Sequence, residues 1–487
     1  MTVRLILPFF LLISFSFLTE PLTYFFSQDD FFHLRIIMDK NFTDVPSFYI
    51  SALPDQTFYR PLSRETFNLV MYRIFGLNAY PFHLVNLILI FANILLTFLV
   101  IQKITSNNIL AYFTTAIYGL SAIHSIELYY LASVQTLLAT SLMLTAIYFY
   151  IRFIRENGLE KYLVSFLSYL LALFCHESAI VLPAILFVVE IYQFGFKLRL
   201  VSLIKHLSLF GILGLFQTFS IVTSSLPVQE VYKPVYSIDS IINTLGWYSL
   251  WSFNLPEMLV DFVGPDFSIN PNFIKWYGQY VWIVLPMFIF TSASLIIISL
   301  RLKTKLFQGG FLFLFISCYT ITILPFLFFP KHKFIYYLSF GAVWFSAILG
   351  YVLSLAWQRS RLMRILSIAV LITVSLISFQ TTALNQITYW AAKRAVAAKS
   401  LLKSIHQNYP TVQSGTIFYI FDDPSYPEIA RQWGTSSRQA AYILSGSDAL
   451  KLFYNDSTIE TYYQAADDLP KNINREKVIN FMAKFPY

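Results

Sequence analysis

Asp29 and Asp30 are adjacent carboxylates in the segment Ser27-Gln28-Asp29-Asp30-Phe31-Phe32-His33, directly after an apolar stretch from Leu5 to Phe26. A carboxylate can take the proton from an attacking hydroxyl. Two of them this close repel, so one is raised and the pair titrates as a unit. A charge at the bilayer centre costs roughly 2.5–3.5 kcal/mol on insertion scales, so acids at the end of an apolar span have either a solvated face or a task. For an isolated pair, a solvated loop start is the plain alternative. Four other places concentrate groups of the same kind. His124-Ser125-Ile126-Glu127 puts an imidazole and a carboxylate at i and i+3, on one helix face. His176-Glu177 sits where two short apolar stretches meet. Pro330-Lys331-His332-Lys333 is a tight cationic group, and Arg60 lies between Tyr59 and Pro61. Helix-end hydrogen bonding explains the first two as well as chemistry does, and snorkelling explains the lysines.

The elements that must position these residues are membrane helices. Of 487 residues, 57% are hydrophobic and 12% charged, and the mean hydropathy is +0.61. A soluble domain carries about 25% charged residues, so the chain reads as a polytopic membrane protein. Cys175 and Cys318 are far apart in apolar surroundings, which excludes a disulfide framework and a zinc site. The net charge of +8 is spread in short clusters between spans, a topology signal rather than a nucleic-acid footprint. Stretches of about 20 apolar residues cross a bilayer, and about eleven are expected: near 5–26, 81–102, 109–127, 130–151, 162–175, 178–194, 201–222, 278–300, 311–330, 334–356 and 365–384. The first reads as a retained anchor, since it is long for a signal peptide and lacks a small-residue cleavage site. With the N-terminus inside, the inner connections hold Arg4, Lys103, Arg152, Arg155, Lys161, Lys197, Arg199, Lys205, Arg301, Lys303, Lys305, Arg359, Arg361 and Arg364. That is the distribution the positive-inside rule demands.

Two outer loops are long. Residues 27–80 carry the acidic pair, Tyr59-Arg60-Pro61-Leu62, and an amphipathic stretch (Phe67, Val70, Met71, Ile74, Phe75) expected in the interface plane. Residues 223–277 are rich in Pro, Tyr and Trp, with a second interfacial helix expected near 240–253. Residues 1–384 then form the transmembrane domain, and the less hydrophobic residues 385–487 a small α/β domain outside the membrane. In that domain Thr388–Gln407 and Ser437–Leu444 read as helices, and Thr416–Phe421 and Ala449–Tyr454 as strands. No phosphate loop or Cys/His cluster marks it for catalysis. Acids and cations thus converge on the outer side, the equipment for moving a group off a phosphate. A carboxylate deprotonates an acceptor and cations stabilise charge on the departing phosphate. Arg60, Lys331, His332 and Lys333 are the phosphate candidates. A divalent metal on Asp29 and Asp30 stays open.

The order of these motifs resembles GT-C fold membrane glycosyltransferases, most closely the transmembrane-and-TPR O-mannosyltransferases and their bacterial relatives, over residues 20–345. The pattern is Asp29-Asp30, then Tyr59-Arg60-Pro61-Leu62, then Gly76, His83 and Asn86, then His124-Ser125-Ile126-Glu127, then His176-Glu177-Ser178-Ala179 with Leu182-Pro183 and Glu190, and finally Lys331-His332-Lys333-Phe334-Ile335-Tyr336-Tyr337-Leu338-Ser339. The resemblance implies a polyprenyl-phosphate-linked sugar donor, inverting transfer to a glycan, lipid or protein hydroxyl, and Asp29 or Asp30 as base. His83, His124, Glu127, His176 and Glu177 would line the substrate cavity. The chain departs from the pattern at Ser125 (usually Pro), Gln135 (usually Arg), His176 (usually Lys) and Lys331-His332-Lys333 (usually with a Glu-Arg pair), and it lacks TPR repeats. A bacterial inner-membrane enzyme working on the periplasmic face is the expectation. A transporter or flippase for a lipid-linked saccharide, or an inactive scaffold, are the alternatives.

Overall fold

The computed structural model describes residues 19–50, 58–195, 200–223, 230–264, 268–427, 434–466, 469–470 and 475–486. The helices that matter here are α1 (Asp29–Arg35), α2 (Phe67–Phe75), α3 (Tyr80–Thr105), α4 (Asn108–Gly119), α5 (Ile123–Tyr129), α6 (Val134–Glu156), α7 (Leu159–Leu173), α8 (Leu182–Phe194), α9 (Leu200–Thr223), α10 (Ile238–Ser252), α11 (Phe273–Leu302), α12 (Phe311–Ile323), α13 (Gly341–Arg359), α14 (Arg361–Thr388) and α15 (Trp390–Asn408). After them come β1 (Ile417–Phe421), α16 (Ser436–Ile443), α17 (Asp448–Tyr454), β2 (Glu460–Tyr463) and β3 (Val478–Met482).

Seven helical stretches among the described residues are long and apolar enough to cross a membrane, or eight if the bent pair α4 and α5 counts as one. The expectation of about eleven therefore stands only in part. The span expected at 5–26 lies outside the described residues up to position 18, and Glu20–Thr23 is a single tight turn. The one expected at 162–175 is α7, whose 15 residues reach about 22 Å at 1.5 Å per residue, short of a roughly 30 Å hydrocarbon core. Of α9, only His206–Phe219 counts, as a shorter apolar helix.

Lipid offers helices little hydrophobic reason to associate, so small and polar residues at the contacts do the work. Asn93 Nδ2 donates to Leu137 O (3.1 Å) and Ser141 Oγ to Asn93 Oδ1 (2.6 Å), joining α3 to α6. Ser165 Oγ donates to Ala146 O (2.8 Å), joining α7 to α6. Helix α13 is the most enclosed. It lies so close to α4 that a Cβ on Gly350 would stand 2.8 Å from the Thr114 backbone nitrogen. Helix α11 is peripheral and leaves Trp282, Ile289 and Ile296 exposed.

The C-terminal unit has a three-stranded sheet in the order β2-β1-β3, parallel throughout. Ala449–Tyr454, expected as a strand, is helical instead, within α17. A short apolar run does not distinguish the two states by periodicity. The topology does, because adjacent parallel strands need a crossover connection, and α16 and α17 supply it between β1 and β2. The unit is not a free appendage. Ala440, Ile443, Leu444 and Leu450 share one buried cluster with Phe26, Phe31, Leu34 and Met38 around α1.

Candidate active site

Helix α1 starts abruptly: Gln28 has φ +52°, and its N–H donates to Ile443 O of the C-terminal unit at 2.9 Å. The two carboxylates that follow face different surroundings. Asp30 is buried, and both its oxygens are taken by backbone N–H groups, from Ser27 (3.0 Å) and Ala132 (3.1 Å). It braces the start of α1 against the turn that opens α6. Burial lifts its carboxyl to about 8 against those two hydrogen bonds, with Asp29 adding to the rise. Asp29 is half-buried and lines a cavity of about 390 Å³. The hydroxyl of Tyr130 donates to Asp29 Oδ2, and the Tyr130 ring is held between Tyr336 (5.1 Å) and Trp390 (5.2 Å). Burial raises the Asp29 carboxyl above its ordinary value, opposed by the Tyr130 hydrogen bond and the charges of Arg394 and Arg60.

Across the cavity, the loop carrying Arg60 docks on the turn before α8. Leu62 N–H donates to Phe174 O (3.1 Å) and Ser63 Oγ to Cys175 O (2.6 Å). Arg60 grips Glu177 with two nitrogens, at 2.8 and 2.5 Å, and its third donates to Gln135. Arg60 also stacks on Phe58, 4.8 Å from the ring centre. His176 lines the cavity beside this pair and accepts or donates at Ser178 Oγ (2.9 Å).

The Lys331-His332-Lys333 group splits. His332 faces the cavity, 2.9 Å from Tyr337 Oη and 4.2 Å between ring centres from Tyr232. Burial holds its imidazole down at about 4, with the Arg60 charge acting the same way. Lys331 is exposed and paired with Glu230 (2.7 Å), while Lys333 donates to Asn243 (3.1 Å); neither lines the cavity. Three more expected residues lie behind the wall. His83 bridges Leu128 O (2.8 Å) and Tyr24 O (3.1 Å). His124 binds Glu127 (2.8 Å) and Tyr118 O (2.8 Å), and Glu127 in turn accepts from Ser339. These are fully buried staples between α3, α5 and the turn before α13.

Sequence reasoning gave no site role to several lining residues: His33 and Phe32, quoted only as neighbours of the acidic pair; Gln135, noted only as a departure from the pattern; and Arg64, Thr136, Tyr232, and Ser445 from the C-terminal unit. Tyr130, Tyr336 and Tyr337 also line it, and each lies in or next to a quoted motif, so their signal was available. Ser445 carried none. Arg64 is held by Glu65 (Nε to Oε1, 2.9 Å) and by Phe58 O (2.7 Å). Among the described residues no three His, Cys, Asp or Glu side chains gather as a metal set. With Asp30 spent on backbone amides and Asp29 Oδ2 accepting from Tyr130, the acidic pair does not supply the several oxygen ligands a divalent ion takes.

No family model and no curated protein matches the sequence. The fold is similar to that in a crystal structure of the Archaeoglobus fulgidus oligosaccharyltransferase tethered with an acceptor peptide containing the NVT sequon, with a TM-score of 0.45 and 11% sequence identity. The match covers 86% of this chain and 61% of that one, so this chain spans less than two thirds of its length.

Proposed function

We propose that this protein is an integral-membrane glycosyltransferase that moves one sugar, of hexose type, from a polyprenyl-phosphate donor to an acceptor hydroxyl on the outer face of a bacterial inner membrane. The observation that carries the reading is Asp29, a carboxylate oriented by Tyr130 in a polar, aromatic-walled cavity opposite Arg60. Asp29 takes the acceptor proton as the acceptor oxygen bonds to the sugar carbon. The bond from that carbon to the phosphate oxygen breaks on the far side, and its electron pair leaves with the polyprenyl phosphate. Attack opposite the leaving group inverts the carbon. A base held above the ordinary aspartate value by burial is a stronger proton acceptor than an ordinary aspartate. Arg60 and the neutral imidazoles of His176 and His332 are the donors proposed to face the leaving phosphate. The aromatic rings of Phe58, Tyr232 and Tyr337 would bracket the sugar.

Two features favour a single sugar on one phosphate. The cavity, about 390 Å³, lies at the lower end of the roughly 300–1,000 Å³ of small-molecule sites. Its two arginines each already face a carboxylate, leaving little charge to balance a diphosphate. The distribution of charge along α6 supports this sidedness. The helix is 23 residues long, and its cavity end, at Gln135, lies about 32 Å from an end where Lys103 pairs with Glu156 and Arg155 with Gln193. The positive-inside rule makes the basic end cytoplasmic.

The test is reconstitution of the full chain in vesicles with radiolabelled polyprenyl-phosphate hexose or polyprenyl-diphosphate hexose. The expected outcome is sugar release and transfer from the monophosphate only. Movement of intact donor between leaflets with no cleavage would favour a flippase instead.

A further inference from the structure

The cavity is lined both by the helical bundle and by the C-terminal unit. At Thr136 and Tyr337 it shares its lining with a separate small hollow of about 10 Å³, bounded also by Thr140 and Met143 on α6 and by Phe326. Positions 136, 140 and 143 fall on one helix face, so the cavity and the hollow lie in sequence along α6. On another wall stands Ser445, contributed by the C-terminal unit rather than by a membrane helix.

Ser445 has an unusual backbone. Its φ is +53° and that of Gly446 is +63°, two left-handed residues in succession between α16 and α17. A non-glycine residue rarely adopts this conformation, and departures of this kind persist where surrounding structure enforces them. The turn is closed locally, by Ser445 N–H to Tyr442 O (3.2 Å) and Gly446 N–H to Ala441 O (3.0 Å), and its flanks are tied to the helix that carries the proposed base. Gln28, just ahead of Asp29, donates its N–H to Ile443 O (2.9 Å). Arg35, at the other end of α1, binds Asp448 (2.9 Å), and the second oxygen of Asp448 accepts from Ser445 Oγ (3.2 Å). Arg394 bonds Gln28 and lies over the Tyr442 ring, 5.1 Å from its centre. Both ends of α1 are therefore tied to the turn that presents Ser445, which fixes the spacing between Asp29 and Ser445. Donor binding as described above uses neither Ser445 nor its turn.

We infer that the Ser445–Gly446 turn is the acceptor-side wall of the site: a hydroxyl-bearing acceptor arriving from the aqueous side is seated between this turn and Asp29, so the C-terminal unit selects the acceptor while the membrane helices select the donor. This rests on the glycosyl-transfer reading.

The test uses membranes containing the full chain together with their endogenous acceptors, supplied with radiolabelled polyprenyl-phosphate hexose. Two products are counted, sugar incorporated into membrane or envelope material and free sugar released to water. Ser445→Asn enlarges the side chain at a position where asparagine tolerates φ above zero, and Ser445→Gly removes the hydroxyl at no backbone cost. The expected result is a fall of tenfold or more in the ratio of incorporated to free sugar for Ser445→Asn, and a smaller fall for Ser445→Gly. A ratio equal to wild type in both variants overturns the inference, whatever the absolute rates. Absence of any Asp29-dependent sugar release from the wild-type chain overturns the glycosyl-transfer reading itself, and the inference with it.

Discussion

Asp29 and Asp30 are the same residue type one position apart, and nothing in the sequence ranks them. The fold does, by giving Asp30 two backbone N–H partners and Asp29 a single phenol at the edge of the cavity. The acidic pair was legible because charge after an apolar span is costly. The distinction was not, because it depends on where Ala132 and Tyr130 arrive from a hundred residues away. Tyr130 gives a direct handle on the proposed base. Its hydrogen bond favours the charged carboxylate, so Tyr130→Phe raises the Asp29 pKa further above its usual 3.8. Since the base must be ionised, the acid limb of the pH profile of kcat/KM is expected to lie above pH 3.8 in the wild type and to move to higher pH in Tyr130→Phe. An unmoved limb would show that a different group titrates. The cationic run at 331–333 teaches the same lesson in reverse. Three residues that look alike in sequence are dispersed by one tight turn, and only His332 reaches the cavity.

At the scale of elements, the segment behind the cavity wall is held by a residue that no motif marked. Glu257, in the turn Glu257–Asp261, is buried and accepts from Ile335 N–H (2.6 Å) and Trp390 Nε1 (3.1 Å). Ile335 opens the turn carrying Tyr336 and Tyr337, and Trp390 opens α15 and packs on Tyr130. Burial lifts the Glu257 carboxyl from 4.5 to about 8, against those two hydrogen bonds. A carboxyl raised on folding adds stability that is complete below its unfolded value and is lost as pH rises through the folded one. The melting temperature in detergent is therefore expected to fall between pH 4.5 and pH 8, and Glu257→Gln should flatten part of that fall. Asp30 and Asp29, raised in the same sense, contribute to the remainder. An identical slope in wild type and variant would rule out this role for Glu257. Long periodic helices such as α3, α6 and α11 were readable in sequence because twenty apolar residues admit few other fates. The helix α17 and the short strands β2 and β3 were not, since their state is set by parallel pairing with β1.

For the whole molecule, the proposed reaction puts the cavity and the C-terminal unit on one side of the membrane, opposite the basic ends of α3 and α6. An export-dependent phosphatase fused after Tyr487 is expected to be active, and strong activity of a cytoplasm-only reporter at the same point would reverse the orientation. The expected sidedness rests on the placement of Lys and Arg. The engagement of the C-terminal unit with α1 was not legible in the sequence, because it rests on packing between Phe31 or Leu34 and Ile443 or Leu450 across some four hundred residues of chain. The measurement that bears most directly on the central claim is donor turnover by the purified full chain in vesicles, comparing wild type, Asp29→Asn and Asp30→Asn with polyprenyl-phosphate hexose. Loss of a general base costs on the order of 10²-fold or more, so Asp29→Asn is expected to lose that much kcat with donor KM little changed. Asp30→Asn is expected to lose less turnover and more thermal stability. Wild-type turnover in Asp29→Asn would contradict the account.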